Sequence, residues 1–180
     1  YYFDVERNLI QEKAFIPSKK SYAIAADELG KMVYYNHAEE QLYVLADGTL
    51  YQVDLKKNKQ TTLAENLKEG QYAVSDDGHL MAYQSEGDKS GGTVNQVMNL
   101  SSLETNTVEA ASGEKISPLG FVNGDFIYGK MKSEDAGKKA SGESITPMYE
   151  LEIRNSKNKK VASYSFVDKG IYISDILIDD

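Results

Sequence analysis

Tyr72-Ala73-Val74-Ser75-Asp76-Asp77-Gly78-His79-Leu80-Met81-Ala82-Tyr83 is the stretch whose reading decides the fold. Two short apolar runs, Tyr72 to Ser75 and Leu80 to Tyr83, flank Asp76-Asp77-Gly78, and Asp and Gly are the residues a tight turn requires. The runs therefore read as paired strands. Working outward, Glu86 to Gly92 reads as a loop, Val94 to Leu100 partly alternates, and Thr105 to Ala111 supplies a fourth strand. Four short strands separated by turn signals between residues 71 and 111 describe one blade-like antiparallel sheet.

The pattern recurs. Val53-Asp54-Leu55-Lys56-Lys57-Asn58 is echoed by Phe3-Asp4-Val5-Glu6-Arg7-Asn8 and by Ile153-Arg154-Asn155-Ser156-Lys157-Asn158. Each copy is the end of an alternating strand running into a charged turn closed by Asn. A second landmark keeps the same step: Tyr22-Ala23-Ile24-Ala25 matches Tyr72-Ala73-Val74-Ser75, and Gly70-x-Tyr72 returns as Gly170-x-Tyr172. Pro118-Leu119-Gly120-Phe121-Val122 is a further copy, out of step because loop lengths differ. A period of about 45 to 50 residues is that of a propeller blade.

These landmarks divide the chain into the end of a blade (1–20), three blades (21–68, 69–112, 113–167) and the start of another (168–180). The expected fold is all-β: a partial propeller of about three four-stranded antiparallel blades with half-blades at both ends, belonging to a larger protein. In the third blade, Leu119 to Val122, Asn123-Gly124, Phe126 to Tyr128, a long loop, Met148 to Ile153 and Val161 to Phe166 repeat the scheme. In the first, Leu42 to Ala46 and Thr49 to Leu55 flank Asp47-Gly48, a hairpin signal, which leaves one strand too many. Helix is the competing reading at Asp4 to Ala14 and Thr61 to Leu67, where the repeat favours strand.

With the repeat laid out, Ser75-Asp76-Asp77-Gly78-His79-Leu80-Met81-Ala82-Tyr83 resembles the S-x-D-G-x-x-x-A-Y core of TolB-like bacterial propeller repeats, relatives of WD-type repeats and of the propellers that precede prolyl-oligopeptidase-type hydrolase domains. Asp47-Gly48-Thr49-Leu50-Tyr51 is similar to the D-G-x-L-Y strand entry of bacterial surface repeats. The stretch Ala26 to Gly30 and the turn Asn123-Gly124 depart from the pattern. The resemblance implies a propeller and an exported bacterial setting; it implies no ligand.

Composition narrows the classes. A net charge of −8 argues against nucleic acid, whose phosphates need clustered Lys and Arg. The local clusters Lys56-Lys57 and Lys157 to Lys160 fall in turns. With no Cys there are no disulfides, thiol nucleophiles or thiolate metal sites. No apolar run reaches the roughly 20 residues of a membrane helix, so direct insertion by this segment is not expected. The tilt towards Tyr (13, against 5 Phe) suits strands with one wet face.

Motifs that imitate chemistry fail on context. Gly124 to Lys130 has phosphate-loop spacing, but Met131 replaces the Ser or Thr and the interior is strand-like. Ser112-Gly113-Glu114-Lys115 lacks the companion motifs of penicillin-recognising enzymes. Asp76-Asp77-Gly78 lacks a calcium loop's alternation, and Asn99-Leu100-Ser101 is only a formal glycosylation sequon. His79 reads as a turn residue, and His37 stands near Glu39 and Glu40 in a loop. No catalytic, cofactor or metal residues are assigned.

The expected binding site is a rim made by the loops joining second and third strands. Its candidates are Glu86, Asp88 and Lys89, then Lys132, Glu134, Asp135, Lys138 and Lys139, with His37 beside them. The reading is a non-catalytic binding or scaffolding propeller of an exported bacterial surface, secreted or membrane-anchored protein, with a protein or glycan partner; a cytoplasmic setting is the alternative, since a chain without Cys fits either compartment. The alternatives are an accessory propeller of a serine hydrolase, or a carbohydrate-binding propeller.

Overall fold

Antiparallel strands make up nearly all of the regular structure. The computed structural model describes residues 1–88, 91–138, 140, 142, 144–174 and 176–178, in two units, Tyr1–Leu67 and Lys68–Asp180. The first unit opens on a hairpin of β1 (Tyr2–Asp4) and β2 (Leu9–Gln11), followed by a helix, α1 (Tyr22–Lys31). Then comes a four-stranded meander: β3 (Val33–Asn36), β4 (Gln41–Ala46), β5 (Thr49–Asp54) and β6 (Lys59–Ala64).

The second unit holds two more meanders. One is β7 (Tyr72–Val74), β8 (Leu80–Asp88), β9 (Gly91–Asn99) and β10 (Thr105–Glu109). The other contains β11 (Glu114–Val122) and β12 (Asp125–Lys132). A short ladder of β13 (Gly137–Lys138) and β14 (Ser144–Ile145) interrupts it before β15 (Met148–Arg154) and β16 (Lys160–Ser165). A bridge between Ile116 and Gly92 joins the two into one eight-stranded sheet. The chain is thus all-β and built from three four-stranded antiparallel sheets of the kind that form propeller blades.

Within the second unit the two blades also pack across an apolar layer. Ala73, Leu80, Ala82 and Val108 of one meet Ile116, Phe121, Phe126 and Tyr128 of the other. Phe126 is 5.5 Å from both Phe121 and Tyr128, ring centre to ring centre. Each of the larger side chains contributes about 1.5–3 kcal/mol by leaving water, so this layer outweighs any single polar contact in the unit. Its end is polar: Gln84 accepts from Gln71 and donates to the Ile116 carbonyl, 3.3 and 3.4 Å away.

The Asp-to-Asn landmark has one geometry. Asp4, Asn36 and Asp54 accept the backbone N–H of the third residue on, at 3.0, 3.1 and 2.8 Å. The fourth residue on (Asn8, Glu40, Asn58) lies at φ near 50° in each case. The side chain closes the turn and Asn accepts the left-handed step at low cost. The last copy differs: after a bulge at Ile153/Arg154, Asn155 accepts the backbone N–H groups of Lys157 and Lys159 at 3.1 and 3.0 Å, and Asn158, the third residue on, is the left-handed one.

Two expectations are corrected. Tyr22–Ala25 begins a helix, although its alternation matches strand β7. The window Tyr22–Lys31 carries Ala23, Ala25, Ala26 and Leu29, strong helix formers, with Lys31 suited to the last turn and paired to Asp27 at 3.8 Å. The surplus strand of the first blade thereby disappears. Glu86 to Gly92 is not a long loop, because β8 runs to Asp88 and β9 starts at Gly91. Small residues there allow close approach: a Cβ on Gly92 would stand 2.3 Å from the Glu86 carbonyl oxygen. Where helix competed, at 4–14 and 61–67, none forms: the β1–β2 hairpin extends to Gln11 and β6 to Ala64, and the residues that follow are irregular. At the C-terminal end Ile173 exchanges both backbone hydrogen bonds with Met148, and Ile178 lies against Gly120.

Candidate functional site

The rim candidates occupy mixed settings. Glu86 is an exposed strand residue opposite Val94, and Asp88 ends β8 opposite Gly91. Lys89 and Lys139 lie outside the described residues. Lys132 ends β12 with its ammonium 5.9 Å from the Tyr149 ring centre. Glu134 and Asp135 sit in a 3-10 turn, and Lys138 in the small ladder that follows. Gly91, at the start of β9, lies beside Met131 and Lys115, where a Cβ would meet both side chains. His37 belongs to the first unit, in the β3–β4 turn beside Tyr35.

A shallow, open concavity lies at the turns joining first and second strands. Its walls are Ser75–His79 and Asn123–Gly124, one turn from each blade of the second unit, and its floor is Leu80, Phe121 and Val122. The cleft measures about 790 Å³ and is open to solvent. It continues between the blades into a hollow of about 40 Å³, where Arg154, Ser156 and Asn106 rim the buried Phe126.

Both walls are fixed by their own sequence. Ser75 donates its hydroxyl to Asp77 at 2.7 Å and accepts the Leu80 N–H at 3.0 Å. Asp77 also accepts the backbone N–H of His79 at 3.2 Å and pairs with its imidazole. The Ser75 hydroxyl lowers the Asp77 carboxyl most, burial opposes it, and the His79 N–H and imidazole keep the balance below the usual range. Asn123 and Gly124 have φ of 49° and 83°, the paired left-handed steps of a two-residue hairpin turn.

Ser75, Asp77 and His79 are the residue types of a nucleophilic triad, but in the wrong order. The carboxylate stands between hydroxyl and imidazole, so the serine donates to Asp77 and no histidine nitrogen receives its proton. This arrangement braces a turn. Among the described residues no group of three His, Asp or Glu side chains is placed to hold a metal ion.

Behind the hollow lies a polar network on β12 and β15. Tyr128 donates to Glu152 at 2.7 Å, and Arg154 donates to Glu152 at 2.8 Å and to the Tyr128 oxygen at 3.2 Å. Lys130 adds pairs with Glu150 at 3.2 Å and Glu152 at 3.5 Å. Burial alone would raise the Glu152 carboxyl, but Tyr128, Arg154 and Lys130 together hold it below its usual range. Burial, then the bond to Glu152, pushes the Tyr128 phenol well above its usual range. The Arg154 guanidinium also donates to the Asn158 carbonyl at 3.1 Å, so it meets the cleft in one fixed orientation.

Sequence reasoning missed this cleft because its walls come from turns more than forty residues apart. The available signal was that both turns stand at the same place in successive repeats.

The site and fold define an all-β protein of blade-like sheets with an inter-blade cleft. No family model and no curated protein matches the chain. Among solved structures it is similar to a crystal structure of the mitotic checkpoint complex, at 9% identity and TM-score 0.25, over 75% of this chain and 63% of that one. It is also similar to Kluyveromyces lactis Hsv2, at 9% identity and TM-score 0.17, over the same shares. The chain therefore spans less than two thirds of the length of these structures.

Proposed function

We propose that the chain is a non-catalytic binding or scaffolding segment of an exported bacterial surface protein, and that the cleft between Ser75–His79 and Asn123–Gly124 receives a protein partner. The observation that carries this reading is the cleft itself: two rigid turns over an apolar floor, with polar groups at the mouth. Asp76 and Asp77 at the mouth, and a net charge of −8, favour a basic segment that inserts an apolar side chain onto Leu80 and Phe121. Arg154 opposes this preference only in part, because it is paired with Glu152, a carboxylate it shares with Lys130 and Lys160. The export setting is supported by the resemblance of the Ser75–Tyr83 turn to TolB-like repeats.

Selection of a displayed random-peptide library on the intact chain tests the site. Basic, aromatic-containing peptides are expected to enrich. Their affinity should fall at least tenfold in Asp76→Arg and in Ser156→Trp, both exposed positions, with unchanged melting temperature. Enriched peptides that bind both variants as well as wild type would remove the cleft from consideration.

A further inference from the structure

The first unit holds a separate cavity of about 320 Å³ between α1 and its four-stranded sheet. Leu42, Val44 and Val53 form the floor; they share one face, since Leu42 pairs with Val53 and Val44 follows two places on. The roof is Ala25 and Leu29, four apart and so on one side of the helix. At Ala25 the helix presents only a methyl group to this space, and Tyr1, Tyr2, Ala14 and Ile16 of the N-terminal segment line it as well. Native interiors hold few voids larger than a water molecule, so an apolar hollow of this size, open at one side, is suited to an occupant.

The polar groups at its edge select the chemistry. Asp47 is satisfied: it accepts the Ser18 hydroxyl at 3.0 Å and the Lys19 N–H at 3.1 Å, and pairs with the Lys20 ammonium at 3.9 Å. Lys13 also lines the cavity, with its ammonium 5.7 Å from the Tyr2 ring centre. An ammonium has three N–H donors and a ring face engages it broadly, without filling them. The edge thus offers a positive charge above an apolar chamber. At roughly 30 Å³ per heavy atom, the share a water takes in the liquid, the chamber holds on the order of ten non-hydrogen atoms.

We infer that this cavity binds a medium-chain aliphatic carboxylate, its chain between α1 and the sheet and its carboxylate on Lys13. The site lies wholly in residues 1–67 and is independent of the inter-blade cleft.

Calorimetric titration of the intact chain with decanoate, decanol and decyltrimethylammonium tests it. Decanoate is expected to bind saturably at one site per chain, decanol at least tenfold more weakly, and the cation not at all. Ala25→Leu, which fills the roof with another strong helix former, should weaken decanoate at least tenfold without lowering the melting temperature. Lys13→Met should bring decanoate down to the affinity of decanol. Non-saturating heats, equal binding of the cation, or full affinity in Ala25→Leu would each overturn the assignment.

Discussion

Glu152 shows how one residue can read as surface and serve as core. Alternation along Met148 to Ile153 places Glu150 and Glu152 on what looks like a solvent face, yet Glu152 is only 3% exposed. What buries it is Tyr128, Lys130 and Arg154, the first two on a strand some twenty residues earlier, and local pattern gives no sign of them. Breaking a buried ion pair typically costs about 3–5 kcal/mol, but Arg154 and Lys130 keep partial access to water, so Glu152→Gln should cost about 2–3 kcal/mol. The pH dependence has a defined sign. The folded carboxyl titrates below its ordinary value of 4.5, so its contribution is complete above that pH and drains away as pH falls towards the lowered value. Thermal melts at about pH 6 and about pH 3.5 should show the wild-type advantage over Glu152→Gln shrinking on acidification. An advantage that stayed constant would mean that Glu152 is not charged in the native state.

At the level of elements, turns were legible and one helix was not. Asp54 to Asn58 and Asp47-Gly48 carry their own geometry, because side-chain capping and left-handed backbone are properties of a few adjacent residues. Tyr22 to Ala25 misled because four residues of alternation fit strand and helix equally. Only the following residues, through Leu29 and Lys31, establish the longer period. The β8–β9 hairpin was misread for the opposite reason: Gly and charge suggest a loop, whereas cross-strand pairing continues as far as Asp88 opposite Gly91. A pair of glycine substitutions tests the turn geometry. Gly48 has φ of 73°, and a Cβ there would stand 2.6 Å from the Leu67 carbonyl oxygen. Gly124 has φ of 83° with open space around it. Gly124→Ala should therefore cost only the backbone penalty of about 1 kcal/mol, and Gly48→Ala about 2–3 kcal/mol, read from urea denaturation. Equal losses would show that the Leu67 contact carries no weight.

Across the whole chain, the repeat conveyed that blades exist but not which contacts hold them together, since packing depends on residues that no period relates. The second unit draws its cohesion from within. Its apolar layer runs from Ala73 to Tyr128, and polar ties cross the same boundary: Asn106 donates to the Ser156 carbonyl at 3.0 Å, Asn158 to the Thr107 carbonyl at 3.1 Å, and Ser117 to the Gly70 carbonyl at 3.0 Å. Each of these net bonds is worth about 1 kcal/mol, so the ring cluster of Phe121, Phe126 and Tyr128 must supply most of the stabilisation. It follows that residues 68–180, produced alone, fold cooperatively, with a single urea transition and dispersed amide resonances. In that fragment Phe126→Ala, which removes the ring at the centre of the cluster, should cost about 3–5 kcal/mol and leave little native population. A fragment that gave no cooperative transition would show that the layer between its two blades is insufficient, and that the fold of residues 68–180 draws on contacts outside it.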